Sequence, residues 1–336
     1  VLATDPHDVA LRLAAGLQRG EVREVRAIEQ AASIIVEGGH AAEQTTCHIV
    51  HATRLARHDG WGVRRQSYRP SGTASHRGAG MTITTSVDER GIAVVTMHHP
   101  PVNALTVDDT WKIRDAFEQL GADENVRVVI LTATGKGFNA GIDIREMQSV
   151  AGFDHMLGSG AACYAAFDAI YECPVPTIAA VNDFCMGLGV GLVGSCDIVI
   201  ASTKARFALP EVDNGALGCA SHLAKLVPPM KLRQMVFTCE AVTATQLYEW
   251  GTVYKLCEPD DLLDTAIDTA AKITTKLPRV VRAAKAALNQ IDIYDLAKHY
   301  RLEQGFTYEM NLYGDGDKAR DAFLAGTRVV TKDTDR

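Results

Sequence analysis

Hydrophobic and polar positions fall into two regimes along the 336-residue chain, separated near Met81. Beyond Met81 the apolar positions are regular. "TITTSVDERGIAVVTMHHP" reads as two strands joined at Glu89 to Gly91, while "VRVVILTATG", "VPTIAAVND" and "CDIVIAS" are apolar runs of buried-strand length. Helical spacing marks Val107 to Leu120, Phe153 to Tyr171, Leu217 to Leu226, Lys231 to Thr238, Ala244 to Trp250, Asp261 to Lys276, Arg279 to Asn289, and a pair between Ile293 and Ala325. Strands gather in the first half of this region and helices in the second. The pattern predicts an α/β fold with a helical C-terminal part.

Residues 1–80 read differently. Two helical stretches are conceivable there, Asp8 to Glu37 and Ala41 to His58, each weakened by glycines. The segment holds ten Arg, no Lys, no Phe and six of the eleven His, and it closes on the linker-like "RRQSYRPSGTASHRGAG". Ten Arg against eight Asp and Glu give it +2, which leaves −9 of the total −7 for residues 81–336. Such a bias is expected either of a small accessory hairpin or of an upstream GC-rich stretch read in frame, with Met81 as the natural start.

Composition then narrows the function. With 47% hydrophobic and 22% charged residues the chain is expected to be globular, and its net charge of −7 argues against general nucleic-acid or anionic-membrane binding. None of the eight cysteines forms a CxxC pair, which fits reduced thiols of a cytoplasmic protein. Cys47, His48, His51 and His58 match no zinc spacing, so no metal is expected.

Chemistry concentrates at two glycine-rich loops. "GVGLVG" (Gly189 to Gly194) matches G-x-G-x-x-G formally, yet a dinucleotide fold needs a full helix next, and here "CDIVIAS" begins two residues later. Glycines that let a short buried helix pack closely are the plainer account. The other loop, "GKGFNAGIDIREM", follows a buried strand and can turn N–H groups inward near Ala140 to Asp143. Two such loops together can aim a pair of N–H donors at one oxygen, which stabilises an enolate or oxyanion.

"PPVNAL", "GFNAGIDIREM", "AVNDFCMGLGVGLVGSCDIVIAS" and "RFALPEVDNGALG" occur in the order of the signature blocks of the crotonase (enoyl-CoA hydratase/isomerase) superfamily, which the chain resembles over residues 81–325. The resemblance implies a spiral of ββα units that binds acyl-CoA, with Ile142 and Leu188 as the oxyanion donors and Ala140, Gly141, Gly187 and Gly189 shaping their loops. It implies no cofactor beyond the coenzyme A of the substrate, and a homotrimer or homohexamer. Family hydratases carry two catalytic glutamates; this chain has one of them, Glu211, and Gly191 at the other position. A narrower set of blocks, including "CYAAFDAIYECPVPTIAAVNDFC", "RVVRAAKAALNQID" and "YRLEQGFTYEMNL", resembles the actinobacterial branch that opens a bicyclic diketone in steroid C/D-ring degradation. That branch shares the glycine. Glu211 is then the expected base, since one base suffices to activate water.

Other polar residues carry two readings each. Asp143 either orients water or caps the next helix. His222 either lines the acyl pocket or is structural, and Ser221 beside it cannot face it as a triad would require. Glu303, Tyr308 and Glu309 either reach the acyl group or are ordinary helix residues, and Lys285 with Arg282 either meets CoA phosphates or lies on a solvated face. An enoyl-CoA hydratase or isomerase and a non-catalytic acyl-CoA binder are the rival functions.

Overall fold

In the computed structural model, residues 82–149 and 153–329 are described. The readings placed on residues 1–80, including the two helical stretches, the Met81 junction and the Cys47–His58 cluster, lie outside them.

The two joined strands pair as read. β1 (Thr82–Val87) and β2 (Ile92–His98) form an antiparallel hairpin, whose turn is held by the Asp88 carboxylate accepting from the N–H groups of Arg90 and Ile92, both at 2.9 Å. β3 (Val128–Ala133), β4 (Thr177–Val181), β6 (Ile198–Ser202) and β9 (Val253–Cys257) then add in parallel, giving a six-stranded sheet of order β1-β2-β3-β4-β6-β9. A second, three-stranded sheet joins β5 (Cys185–Met186), β7 (Arg206–Ala208) and β8 (Val242–Thr243).

Both faces of the large sheet are covered, which is why its central strands read as unbroken apolar runs. Ile130, Ile178 and Ile200 point to one side, onto Leu262, Ala266 and Ala270 of the helix Leu262–Thr274. Val129, Leu131, Ala179 and Val199 point to the other, into the larger core shared with α1 (Val107–Ala122) and α3 (Asp154–Tyr171). Each buried isoleucine stabilises this sandwich by roughly 1.5–3 kcal/mol. Thr106 starts α1 through a capping box with Asp109.

Between α1 and α3 lies the short helix α2 (Ile144–Ser149), and after β5 comes α4 (Leu188–Gly194). The expected helix over Leu217 to Leu226 is confined to α5 (Ala220–Ala224), because Cys219 takes the left-handed conformation, φ 61°, and breaks the run. The helices Pro229–Thr238 and Ala244–Glu249 follow as read. Late in the chain run Pro278–Ile291, Leu296–Leu312 and Asp315–Leu324. Loops that leave the carboxyl ends of β3 and β4 meet beside α4, the position where α/β sheets present their ligands.

Candidate active site

The two loops are fastened to each other through their backbones. Phe138 and Asn139 donate to the Phe184 carbonyl at 2.9 and 3.1 Å, and Met186 donates to the Asn139 carbonyl at 2.8 Å. On its other side the first loop is held by Leu105, which donates to Gly141 and accepts from Asp143. Between these ties the N–H groups of Ile142 and Leu188 donate to no acceptor among the described residues. Leu188 is the first residue of α4, where helix N–H groups are free by construction of the helix and the dipole favours negative charge.

Asn139, which sequence reasoning passed over, organises the first loop. Fully buried, it accepts the Gly141 N–H at 2.9 Å and donates to the Asn103 carbonyl at 2.6 Å. Gly189 is glycine because a Cβ there would lie 2.9 Å from Asn139 Cβ. Gly187 has two reasons to be bare: its φ is 52°, and a Cβ would lie 2.5 Å from Glu211 Oε1. A Cβ on Gly187 would also lie 3.7 Å from Gly141 Cα, a measure of how closely the loops approach. Ala140 is half-buried between the ties.

Glu211 enters from the turn after β7, at the head of the 3₁₀ turn Val212–Asn214. Its carbonyl accepts from Asn214 and Ala216, fixing that turn. The carboxylate lies against Gly187, and its Oε2 is buried without a hydrogen-bond partner among the described residues. Burial pushes its pKa up to about 8; its own N–H opposes the rise and the nearby Glu303 charge adds to it. A carboxylate starved of donors in this way is a strong proton acceptor once ionised.

Gly191 faces apolar material. A Cβ there would lie 2.5 Å from Phe167 Cε1 and 2.8 Å from Cys219 Sγ. Phe167 stacks with His222 and Tyr300, ring centroids 4.6 and 5.1 Å away. His222 is 1% exposed; burial, with Lys225 adding, lowers its pKa to about 3, so it stays neutral at physiological pH. Its Nε2 has no partner among the described residues, and Ser221 Oγ lies 3.4 Å from Nδ1.

Of the remaining polar candidates, Asp143 accepts from the N–H groups of Arg145 at 2.9 Å and Glu146 at 3.4 Å, the capping arrangement. Glu303 accepts from Ala220 and Ser221 at 2.7 and 2.8 Å and so caps α5 from 83 residues away. Tyr308 abuts Gly160 of α3 and meets Phe153 edge-on. Glu146, a second unforeseen residue, accepts from the Val107 N–H at 2.9 Å and has His155 3.7 Å away; burial raises its pKa to about 7. Its sequence signal is only that it stands three residues after Asp143, on the short helix that Asp143 caps.

Lys285 is neither solvated nor a free cation. Buried on Pro278–Ile291, it pairs with Asp197 Oδ1 at 2.6 Å, while Asp197 Oδ2 accepts from the Thr177 N–H at 2.8 Å. This pair docks the helix on the starts of β4 and β6. Arg282 is likewise engaged, donating to the Val126 carbonyl at 3.2 Å. Among the described residues no three potential metal ligands cluster.

Over residues 88–328 the sequence matches the enoyl-CoA hydratase/isomerase family. The chain belongs to that family. It is similar to two proteins named (7aS)-7a-methyl-1,5-dioxo-2,3,5,6,7,7a-hexahydro-1H-indene-carboxyl-CoA hydrolase. The one from Rhodococcus jostii is 49% identical over 244 residues, covering 73% of this chain and 95% of that protein. The one from Mycobacterium tuberculosis is 48% identical, covering 73% and 99%. Among solved structures, an enoyl-CoA hydratase from Mycobacterium avium subsp. paratuberculosis superposes with a TM-score of 0.66 at 25% identity, over 76% of this chain and 99% of that one. The family membership accounts for the fold that brings the paired loops together, the crotonase fold.

Proposed function

We propose that this enzyme hydrolyses a carbon–carbon bond in a CoA-linked cyclic diketone, a substrate class that fits its 48–49% identical relatives, which are named hydrolases of a dioxo-hexahydroindene-carboxyl-CoA. The observation that carries the reading is a single unpartnered carboxylate, Glu211, beside the Leu188 donor, with no acid at Gly191. The thioester oxygen accepts from the N–H groups of Ile142 and Leu188. Glu211 takes one proton from water as the oxygen adds to a ring ketone. The adjacent carbon–carbon bond then breaks, and its electron pair is delocalised through the enone toward the thioester oxygen, where the two N–H groups stabilise it. Protonated Glu211 returns the proton to carbon, so one water is consumed and the base is regenerated.

As written, the reaction needs nothing beyond the coenzyme A of its substrate. A homotrimer or homohexamer is supported by the apolar side chains Leu277, Val280, Leu288, Ile291 and Ile293, each at least 60% exposed and all at or beside one helix. A cytoplasmic setting is supported by seven free cysteines among the described residues. No described helix is long and apolar enough to cross a membrane.

Mass spectrometry of products from a cyclic diketone CoA ester and from crotonyl-CoA tests the assignment. Gain of one water with ring opening of the first is expected. Efficient hydration of crotonyl-CoA with the cyclic ester left intact would replace it with the hydratase reading.

A further inference from the structure

We propose that Phe167, backed by Cys219, His222 and Tyr300, determines the reaction type by filling the space beside Glu211 in which a second carboxylate would stand. The inference rests on the one-base reading of the site.

The wall is built from three separate stretches of chain. Phe167 comes from the inner face of α3, where Cys163, Ala166 and Ile170 are buried with it. His222 and Tyr300 close an aromatic triangle around it, their own centroids 5.4 Å apart. Cys219 is placed by its left-handed backbone at the head of α5, and that head is fixed by the Glu303 carboxylate on the N–H groups of Ala220 and Ser221. A side chain at 191 points straight into the Phe167 ring and Cys219 Sγ. Gly187, which faces Glu211, and Gly191, which faces Phe167 and Cys219, lie one turn apart at the start of α4, with the Gly191 N–H on the Gly187 carbonyl, so the wall adjoins the base.

Two consequences follow from this packing. Substituting Gly191 alone does not create a two-acid site, because the obstructing atoms belong to a ring held on several sides rather than to a flexible tip. Hydration of an enoyl thioester, which profits from one group activating water and another delivering the proton, is thereby disfavoured while one-base hydrolysis is retained. Apolar atoms at this position also keep any like charge beyond that of Glu303 away from Glu211.

The experiment is a four-member set: wild type, Gly191→Glu, Phe167→Ala and the double variant. Each is measured for crotonyl-CoA hydration, ring opening of the cyclic diketone ester, and Tm. Gly191→Glu alone is expected to lower Tm and hydrate no faster than wild type. The double variant is expected to recover Tm relative to Gly191→Glu and to hydrate crotonyl-CoA at least about 10-fold faster than either single variant. A Gly191→Glu variant with wild-type Tm that hydrates as well as the double variant overturns the proposal, as does a stable double variant with no gain. If the double variant does not fold, Gly191→Ala is compared with Gly191→Ala/Phe167→Leu. Recovery of at least half the Tm loss supports the steric role, and simple additivity overturns it. Failure of the hydrolase assignment registers separately, as absent ring opening by the wild type.

Discussion

Replacing Glu211 by Gln removes one ionisation and little else, so it isolates the free energy stored at the base. In an unfolded chain this carboxyl loses its proton near 4.5, whereas in the folded protein burial holds the proton until about pH 8. Between those values the folded state binds more protons than the unfolded one, so the group's contribution to stability falls as pH rises and levels off above 8. At about 1.4 kcal/mol for each pH step, the span amounts to about 5 kcal/mol as an upper figure. The variant never ionises. Urea denaturation at pH 5 and pH 9 should therefore show Glu211→Gln close to wild type at the lower pH and more stable by several kcal/mol at the higher one. Turnover should fall at least about 100-fold at pH 9 and by much less at pH 5, where little of the wild-type base is ionised. Wild-type turnover should climb with pH toward 8, since roughly a tenth of the base is ionised at pH 7. Parallel stability profiles for the two proteins would refute the claim that Glu211 is held protonated by its surroundings.

Two further outcomes test the supporting structure. Asn139→Ala leaves the Gly141 N–H and the Asn103 carbonyl without partners at about 1–3 kcal/mol each, so thermal denaturation should show a lower Tm and steady-state kinetics a kcat reduced more than KM is raised. Lys285→Ala strands an Asp197 that is 27% exposed and still bonded by Thr177, so the loss should be about 1–3 kcal/mol, below that for a sealed pair, with CoA affinity by calorimetry unchanged. Weakened CoA binding at unchanged Tm would return Lys285 to the role of phosphate ligand.

Local pattern carried the strands β2, β3, β4 and β6 because each is buried on both faces and therefore uniformly apolar. It missed β9, where "VYKLC" is only partly buried at the sheet edge and mixes polar with apolar positions. The two loops were legible through their glycines, whereas Ile142, Leu188 and Glu211 were singled out only by the family's blocks; the structure leaves the N–H groups of the first two without an acceptor among the described residues. Phe167 was not, since a buried Phe on a helix has the same sequence signal whether it fills a core or walls a site. Glu303 was equally silent: its partners lie 82 and 83 residues away, a distance no helical period encodes. Lys285 looked solvated because a lone cation in "RAAKAALN" gives no sign of the Asp197 that meets it.

The reach of the helix Leu296–Leu312 back across the molecule bears on how the enzyme is made. Besides Glu303 on α5, it places Gln304 on the Gly160 carbonyl and Thr307 on the backbone of Leu217. A nascent chain exposed only as far as Ile291 would hold both glycine-rich loops and Glu211, but not the carboxylate that seats Cys219 or the Tyr300 ring behind Phe167. Synthesis from the N-terminus thus leaves the pocket wall to a stretch made well after both loops and Glu211. A ribosome stalled before residue 300 would therefore carry a pocket whose loops are in place and whose wall is loose.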